Sequence, residues 1–433
     1  MAARMIPANG AYVLRNATVP RALLGQPQAF TGAGDTLRLD IAVADGRIAR
    51  IAPAGSDAGA TPIELDGGMV WPCFTDIHTH LDKGHIWPRA ANPDGSHSGA
   101  RTAVAADRAA RWSAADVAAR MRFGLRCAYA HGTRALRTHI DSLEPQGAIS
   151  WPVFAALRDE WAGRVEMQAV SLVPIELYAD EAASARLADL VAEHGGILGA
   201  ATMSHTDLDR LLDRAFALAM ARGLDLDFHV DETNDPQSRS LMHIAKRAIA
   251  FRFPGRIVVG HCCSLALQPA DEGDRTMDLA AQARIAVVSL PMCNLYLQDR
   301  AAGRTPRWRG VTLLHEFAAR GIEVMAASDN CRDPFYAYGD HDPLEVFTQT
   351  TRIAQLDHPI GAWPRLVTLT PAAVMSAEHA IAQGASADLV LFRARDYSEL
   401  LSRSQQDRIV LRAGRAIDRT LPDYRELDLL MDG

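Results

Sequence analysis

The feature that most constrains this chain is an alternation. From about residue 69 onward, short apolar runs are separated by Ala- and Leu-rich stretches such as "SAADVAARMRFGLRCAYAHG" and "SARLADLVAEHG". Eight runs read as strands, at 69–78, 133–139, 165–173, 196–202, 224–230, 256–262, 285–291 and 322–328. Near-continuous apolar text suits strands buried on both faces, and intervening helices imply parallel pairing. The expected class is α/β, a (β/α)8 TIM-like barrel.

The two ends of the chain read differently. Residues 11 to 54 alternate apolar and polar, and "ADGR" makes a hairpin turn between two strands. The style returns in "ADLVLFRA" (387–394) and "RIVLRAGRAI" (408–417). The expectation is a composite β-sandwich domain from residues 1–68 and 380–433 around a barrel domain at 69–379. A chain of 433 residues has room for both, since such a barrel takes about 250.

Barrel enzymes build their sites at the carboxyl ends of the strands, so the residues there decide the chemistry. Strand one ends in His78 and His80, strand two in His139 and Asp141, strand five in His229, Asp231 and Glu232, strand six in His261 and strand eight in Asp329. Side chains alternate along a strand, so His78 and His80 point the same way. Joined by His229 and Asp329 they make three nitrogen ligands and one oxygen, suited to a single Zn²⁺ or Fe²⁺. A divalent ion lowers the pKa of bound water from about 15.7 towards about 7, which supplies a metal-bound hydroxide as nucleophile. Glu232 is placed to shuttle protons, and His261 to hydrogen-bond the hydroxide.

A lone histidine at a strand end is more often structural; the joint occurrence at several strand ends carries the reading. His139 and Asp141 are expected to buttress the site by hydrogen bonds. His85, His97, His205 and His243 read as surface or loop residues, and Cys262 and Cys263 as buried packing.

Composition narrows the partners. The net charge of −7 leaves no basic footprint for nucleic acid or an anionic membrane, and 48% hydrophobic with 22% charged residues fits a globular protein. The six cysteines show no paired spacing and read as reduced thiols. The opening "MAARMIPANGAYVLRNA" lacks the apolar core of a signal peptide, and no run of about 18 apolar residues occurs. A soluble, cytoplasmic protein acting on a small molecule is expected.

The stretches "FTDIHTHLDKG", "RTHID", "DFHVDETNDPQSRSL", "VVGHCCSLA", "NLYLQDR" followed by "TPRWRG", and "ASDNCRDPFYAYGDHDPL" together resemble the cytosine deaminase branch of the amidohydrolase superfamily. The resemblance runs in order over residues 69 to 345, and the β-rich ends match that family's composite sheet domain. It implies a mononuclear metal on His78, His80, His229 and Asp329, Glu232 as shuttle, His261 beside the metal water, Asp329 as acceptor of the water's proton, and self-association. Many relatives carry a metal-bridging lysine at strand three or four; "AVSLVPIEL" and "LGAATMSH" contain none, which agrees with one metal.

Departures concern the substrate. Where cytosine deaminase has a glutamine that grips the pyrimidine amide edge, this chain has Val173, Pro174 and Ile175. Asn330 in "SDN" and the "HTHLDK" stretch are similar to the N-isopropylammelide hydrolases. Pro174, Asn330 and Phe335 are the candidate substrate contacts. The leading expectation is hydrolytic deamination of a cytosine-like heterocycle with release of ammonia. The alternatives are hydrolysis of another C–N bond, of alkylamino-triazine or cyclic amide type, and a non-catalytic barrel that only binds.

Overall fold

The computed structural model describes residues 6–7, 10–32, 34–56, 61–377 and 380–432, and the chain divides into two compact units. Along the chain the strands are β1 (Tyr12–Pro20), β2 (Thr36–Ala44), β3 (Arg47–Pro53), β4 (Thr61–Glu64), β5 (Val70–Pro72), β6 (Phe74–Thr79), β7 (Thr133–Asp141), β8 (Glu166–Leu172), β9 (Leu198–Thr202), β10 (Leu226–Val230), β11 (Ile257–His261), β12 (Ile285–Ser289), β13 (Val324–Ala326), β14 (Leu389–Leu391), β15 (Ile409–Arg412) and β16 (Arg415–Ala416).

The first unit comprises Met1–Thr75, Arg126–Ala135 and Asp342–Leu421. It carries two four-stranded sheets, ordered β3-β2-β1-β4 and β16-β15-β14-β5. The β2–β3 hairpin turns at Asp45 and Gly46, both at positive φ (51° and 75°), which is the backbone twist a two-residue hairpin requires. Both sheets contribute to one apolar core, with Leu14, Ile41 and Ile63 from the first and Val70, Leu389 and Leu411 from the second. Trp71 anchors a second aromatic nest, with ring centroids 5.3 Å from Phe347 and 6.2 Å from Phe392. Residues 342–377, given to the barrel in the sequence reading, group here with the chain ends.

The run expected as one strand at 69–78 is two. β5 pairs antiparallel with β14, and the chain then leaves that sheet at Cys73, whose N–H bonds Asp388 O at 3.0 Å, before β6 begins. An uninterrupted apolar text hides this switch because both segments are fully buried.

The second unit comprises Asp76–Leu125, Leu136–His341 and Pro422–Gly433. Its strands lie in sequence order in two sheets, β6-β7-β8 and β9 to β13, and β9 to β13 pair in parallel. Isolated parallel bridges join β8 and its extension to β9, at Val170–Ile197 and Pro174–Ala201, and join β6 to the segment after β13, at Thr79–Asp329. β10, β11 and β12 are buried at every position, as two-faced burial demands. Helices follow most strands, among them Glu181–Glu193, Leu208–Arg222 and Ser240–Phe251. The architecture is α/β with parallel sheets. Among the described residues no helix is long and apolar enough to cross a membrane.

Candidate functional site

The carboxyl ends of the second unit's strands gather histidines. His78 lies in β6 and His80 just beyond it, His229 in β10, His261 at the end of β11, and Asp329 shortly after β13, all buried. His229 Nε2 is 3.2 Å from both His78 Nε2 and His80 Nε2. Asp329 Oδ1 stands 3.1 Å from His80 Nε2 and 3.6 Å from His78 Nε2. Burial, reinforced by neighbouring histidines and cations, holds the imidazoles of His78, His80 and His229 well below their usual pKa, so they are neutral and keep a lone pair. Three neutral imidazoles whose Nε2 atoms crowd one another, two of them also against one carboxylate oxygen, cannot all satisfy one another by hydrogen bonding. The donor set of three nitrogens and a carboxylate fits a divalent cation.

His139 and Asp141, paired in the sequence reading, part company in the structure. The His139 ring lies 3.9 Å from that of His78, and one of its nitrogens falls within 4.8 Å of ligand atoms on His78 and His229, so it packs directly on the cluster. Asp141 instead bonds Lys83 Nζ and Arg108 Nη1, both at 2.7 Å. Burial works against the Asp141 carboxylate, but these two cations hold its pKa below the usual value. Asp231, also at a strand end, accepts from Ser238 Oγ and from the N–H groups of Ser240 and Leu241, a purely local clamp.

Glu232 projects beside the cluster, with Oε1 3.6 Å from His261 Nδ1 and Oε2 3.4 Å from His97 Nε2. Burial raises its pKa, but His261, His97 and Lys83 outweigh burial, so the carboxyl titrates below its usual value and is ionised at neutral pH. Asn294 Nδ2 donates to Gly310 O at 3.2 Å, which turns its Oδ1 to His261 Nδ1 at 2.9 Å. The other ring nitrogen of His261, Nε2, is buried without a protein partner.

A cavity of about 570 Å³ opens onto these groups. His80, His229, His261 and Glu232 line it, as do the expected substrate contacts Pro174, Asn330 and Phe335. Two histidines read as surface or loop residues are placed otherwise. His97, at the start of helix His97–Arg111, lines the cavity, and His85 is buried against Phe123. Burial of His85 follows from the fold of the loop after β6, and the His97 contact from a helix that covers the cavity; neither is written in local spacing. Lys83 and Arg108 also line the cavity and were missed, although "HTHLDK" already set a lysine three residues after His80. His205 and His243 are half-buried, and all six cysteines are buried and outside any disulfide, Cys262 and Cys263 included.

A model of the amidohydrolase family matches residues 155–417. The chain is 53% identical over 433 residues to a pterin deaminase of Rhizobium rhizogenes, covering 99% of this chain and 98% of that protein. It is 24% identical over 366 residues to the N-isopropylammelide isopropyl amidohydrolase of Pseudomonas sp. (strain ADP), covering 82% and 87%. Among solved structures, 5-methylcytosine deaminase from Klebsiella pneumoniae with 5-fluorocytosine shares the fold, with a TM-score of 0.80, 22% identity and coverage of 95% and 98%.

Proposed function

The chain belongs to the amidohydrolase family and is a hydrolase of C–N bonds, and on that premise we propose that it deaminates a pterin-type fused heterocycle, replacing the exocyclic amino group with oxygen and releasing ammonia. The observation that carries this reading is the full-length likeness to the pterin deaminase, and the gathering of His80, His229, His261 and Glu232 at one cavity supports it. The cytosine-like substrate expected from the motifs gives way to a larger ring. Val173, Pro174 and Ile175 present an apolar wall in place of an amide grip, and about 570 Å³ is spacious for a single pyrimidine. In the same reading the strand order and the marginal bridges of the second unit form a closed (β/α)8 barrel.

His78, His80, His229 and Asp329 would hold one divalent ion, with His139 packed against them. When bound, that ion supplies Lewis-acid activation of water. Ionised Glu232 takes one proton of the attacking water and delivers it to the ring nitrogen beside the scissile carbon. Asp329 takes the other and returns it to the departing nitrogen, which leaves as ammonia. His261, its Nδ1 set on Asn294 Oδ1, turns Nε2 to the attacking oxygen and stabilises the charge that develops there. Lys83, oriented by Asp141, offers an ammonium to the ring carbonyl oxygen, and Phe335 and Pro174 offer apolar surface to the bicycle.

The test is ammonia release and product mass for pterin, cytosine and an N-alkylamino-triazine at matched concentrations. The expected result is the highest kcat/KM on pterin. Preferential release of an alkylamine from the triazine, or faster turnover of cytosine, would overturn the assignment.

A further inference from the structure

The second unit contains another buried cluster that the deamination chemistry does not use. The ligand atoms of His85, Cys331 and His341 all lie within 4.8 Å of one another, and the three residues are 2%, 1% and 1% exposed. Both ring nitrogens of His85 are buried and have no hydrogen-bond partner. Leaving a buried polar group unsatisfied costs about 1–3 kcal/mol, so a buried imidazole without a protein partner, grouped with a thiol and a second imidazole, calls for a ligand. Phe123, with its ring centroid 4.7 Å from that of His85, forms an apolar wall, and Tyr424 stands at 6.3 Å.

The chemistry of the donors narrows what would bind. One thiol and two imidazoles suit a borderline or soft cation, whereas Mg²⁺ and Ca²⁺ want oxygen ligands. The three come from two loops: His85 from the one after β6, which also carries His80, and Cys331 and His341 from the one after β13, which also carries Asp329. The loops already meet through His85 N–H bonding Cys331 O at 3.0 Å and Trp87 N–H bonding Arg332 O at 2.8 Å.

We propose that His85, Cys331 and His341 bind a second divalent cation of zinc type, as a structural clasp between the two loops that bring His80 and Asp329 to the cavity. Binding takes lone pairs from the two imidazoles and a thiolate from Cys331, whose proton leaves to solvent. The fourth tetrahedral position is left to water. The clasp stands or falls independently of the substrate.

The test loads the full-length protein with Co²⁺ and reads two quantities, cobalt per chain and the sulfur-to-cobalt charge-transfer absorption in the near ultraviolet. The first cluster contains no sulfur ligand, so that absorption reports the clasp alone. The expectation is two cobalt ions per chain with the band present. Cys331→Ser should remove the band and one equivalent, while Cys73→Ser, the control at a buried thiol of the first unit, leaves both unchanged. A wild-type protein with one equivalent and no band overturns the proposal, as does a band that survives Cys331→Ser. Should Cys331→Ser fail to fold, His85→Gln and His341→Gln serve instead, and full loading of both variants refutes the clasp.

Discussion

Glu232→Gln separates chemistry from architecture. The amide has the shape of the carboxylate, and the backbone contact from Gln298 Nε2 to Glu232 O at 3.3 Å is untouched. The side-chain partners stand at 3.4 and 3.6 Å, beyond the 2.6–3.2 Å reach of a strong hydrogen bond. Folding stability should therefore change by less than about 1 kcal/mol. Turnover is another matter, because an amide cannot take a proton. Positioned proton transfer contributes on the order of 10² to 10⁴ in rate, about 3–5 kcal/mol of barrier. The assay is coupled ammonia release for kcat and KM, with metal content and melting temperature measured on the same preparation. The expected outcome is a kcat lower by at least about a hundredfold, with metal content and melting temperature unchanged. A kcat within a few-fold of wild type would refute the shuttle.

Other consequences are equally direct. A methyl group at Gly260 in β11 would sit 3.0 Å from His78 Cε1 and 3.2 Å from its Nδ1, so Gly260→Ala should displace the ring and weaken metal retention in a chelator competition; unchanged affinity would contradict the placement of His78. Lys83→Met leaves Asp141 with Arg108 alone and removes a cavity ammonium; kcat/KM should fall about tenfold to a hundredfold with little change in metal content, and wild-type kinetics would exclude Lys83 from substrate binding. In the first unit, burial raises the Asp342 carboxyl, but Arg408, His131 and the Leu344 N–H outweigh it and bring the pKa down to about 2 from the ordinary 3.8. A depressed folded-state value stabilises the protein above pH 3.8, and the contribution, about 2 kcal/mol, disappears as pH falls through about 2. The stability difference between wild type and Asp342→Asn in urea should narrow by that amount between pH 6 and pH 2, and a constant difference would contradict it.

Much of the site was legible because its chemistry is carried by residue types at strand ends. His78 and His80 are read from their spacing, and His229, His261 and Asp329 from their position after apolar runs. What escaped depends on which parts of the chain meet. His97 faces Glu232 only because helix His97–Arg111 folds over the cavity, and Lys83 becomes a cavity group only once Asp141 holds it. His85 looks like a loop histidine in "DKGH" because burial by Phe123, remote in sequence, is invisible there. In the fold, the apolar text of 69–78 concealed the sheet change at Cys73, and the hairpin at Asp45–Gly46 was readable because its turn is a local backbone requirement. Substrate identity was least legible, since Val173 to Ile175 say what the wall lacks rather than which ring it fits.

The central claim is that His78, His80, His229 and Asp329 gather one cation beneath the cavity. Anomalous diffraction at the absorption edge of the metal found in the purified protein tests it most directly. The account predicts a peak about 2.0–2.3 Å from an imidazole nitrogen of each histidine and from a carboxylate oxygen of Asp329. A metal-loaded crystal with no peak among these four side chains would contradict it.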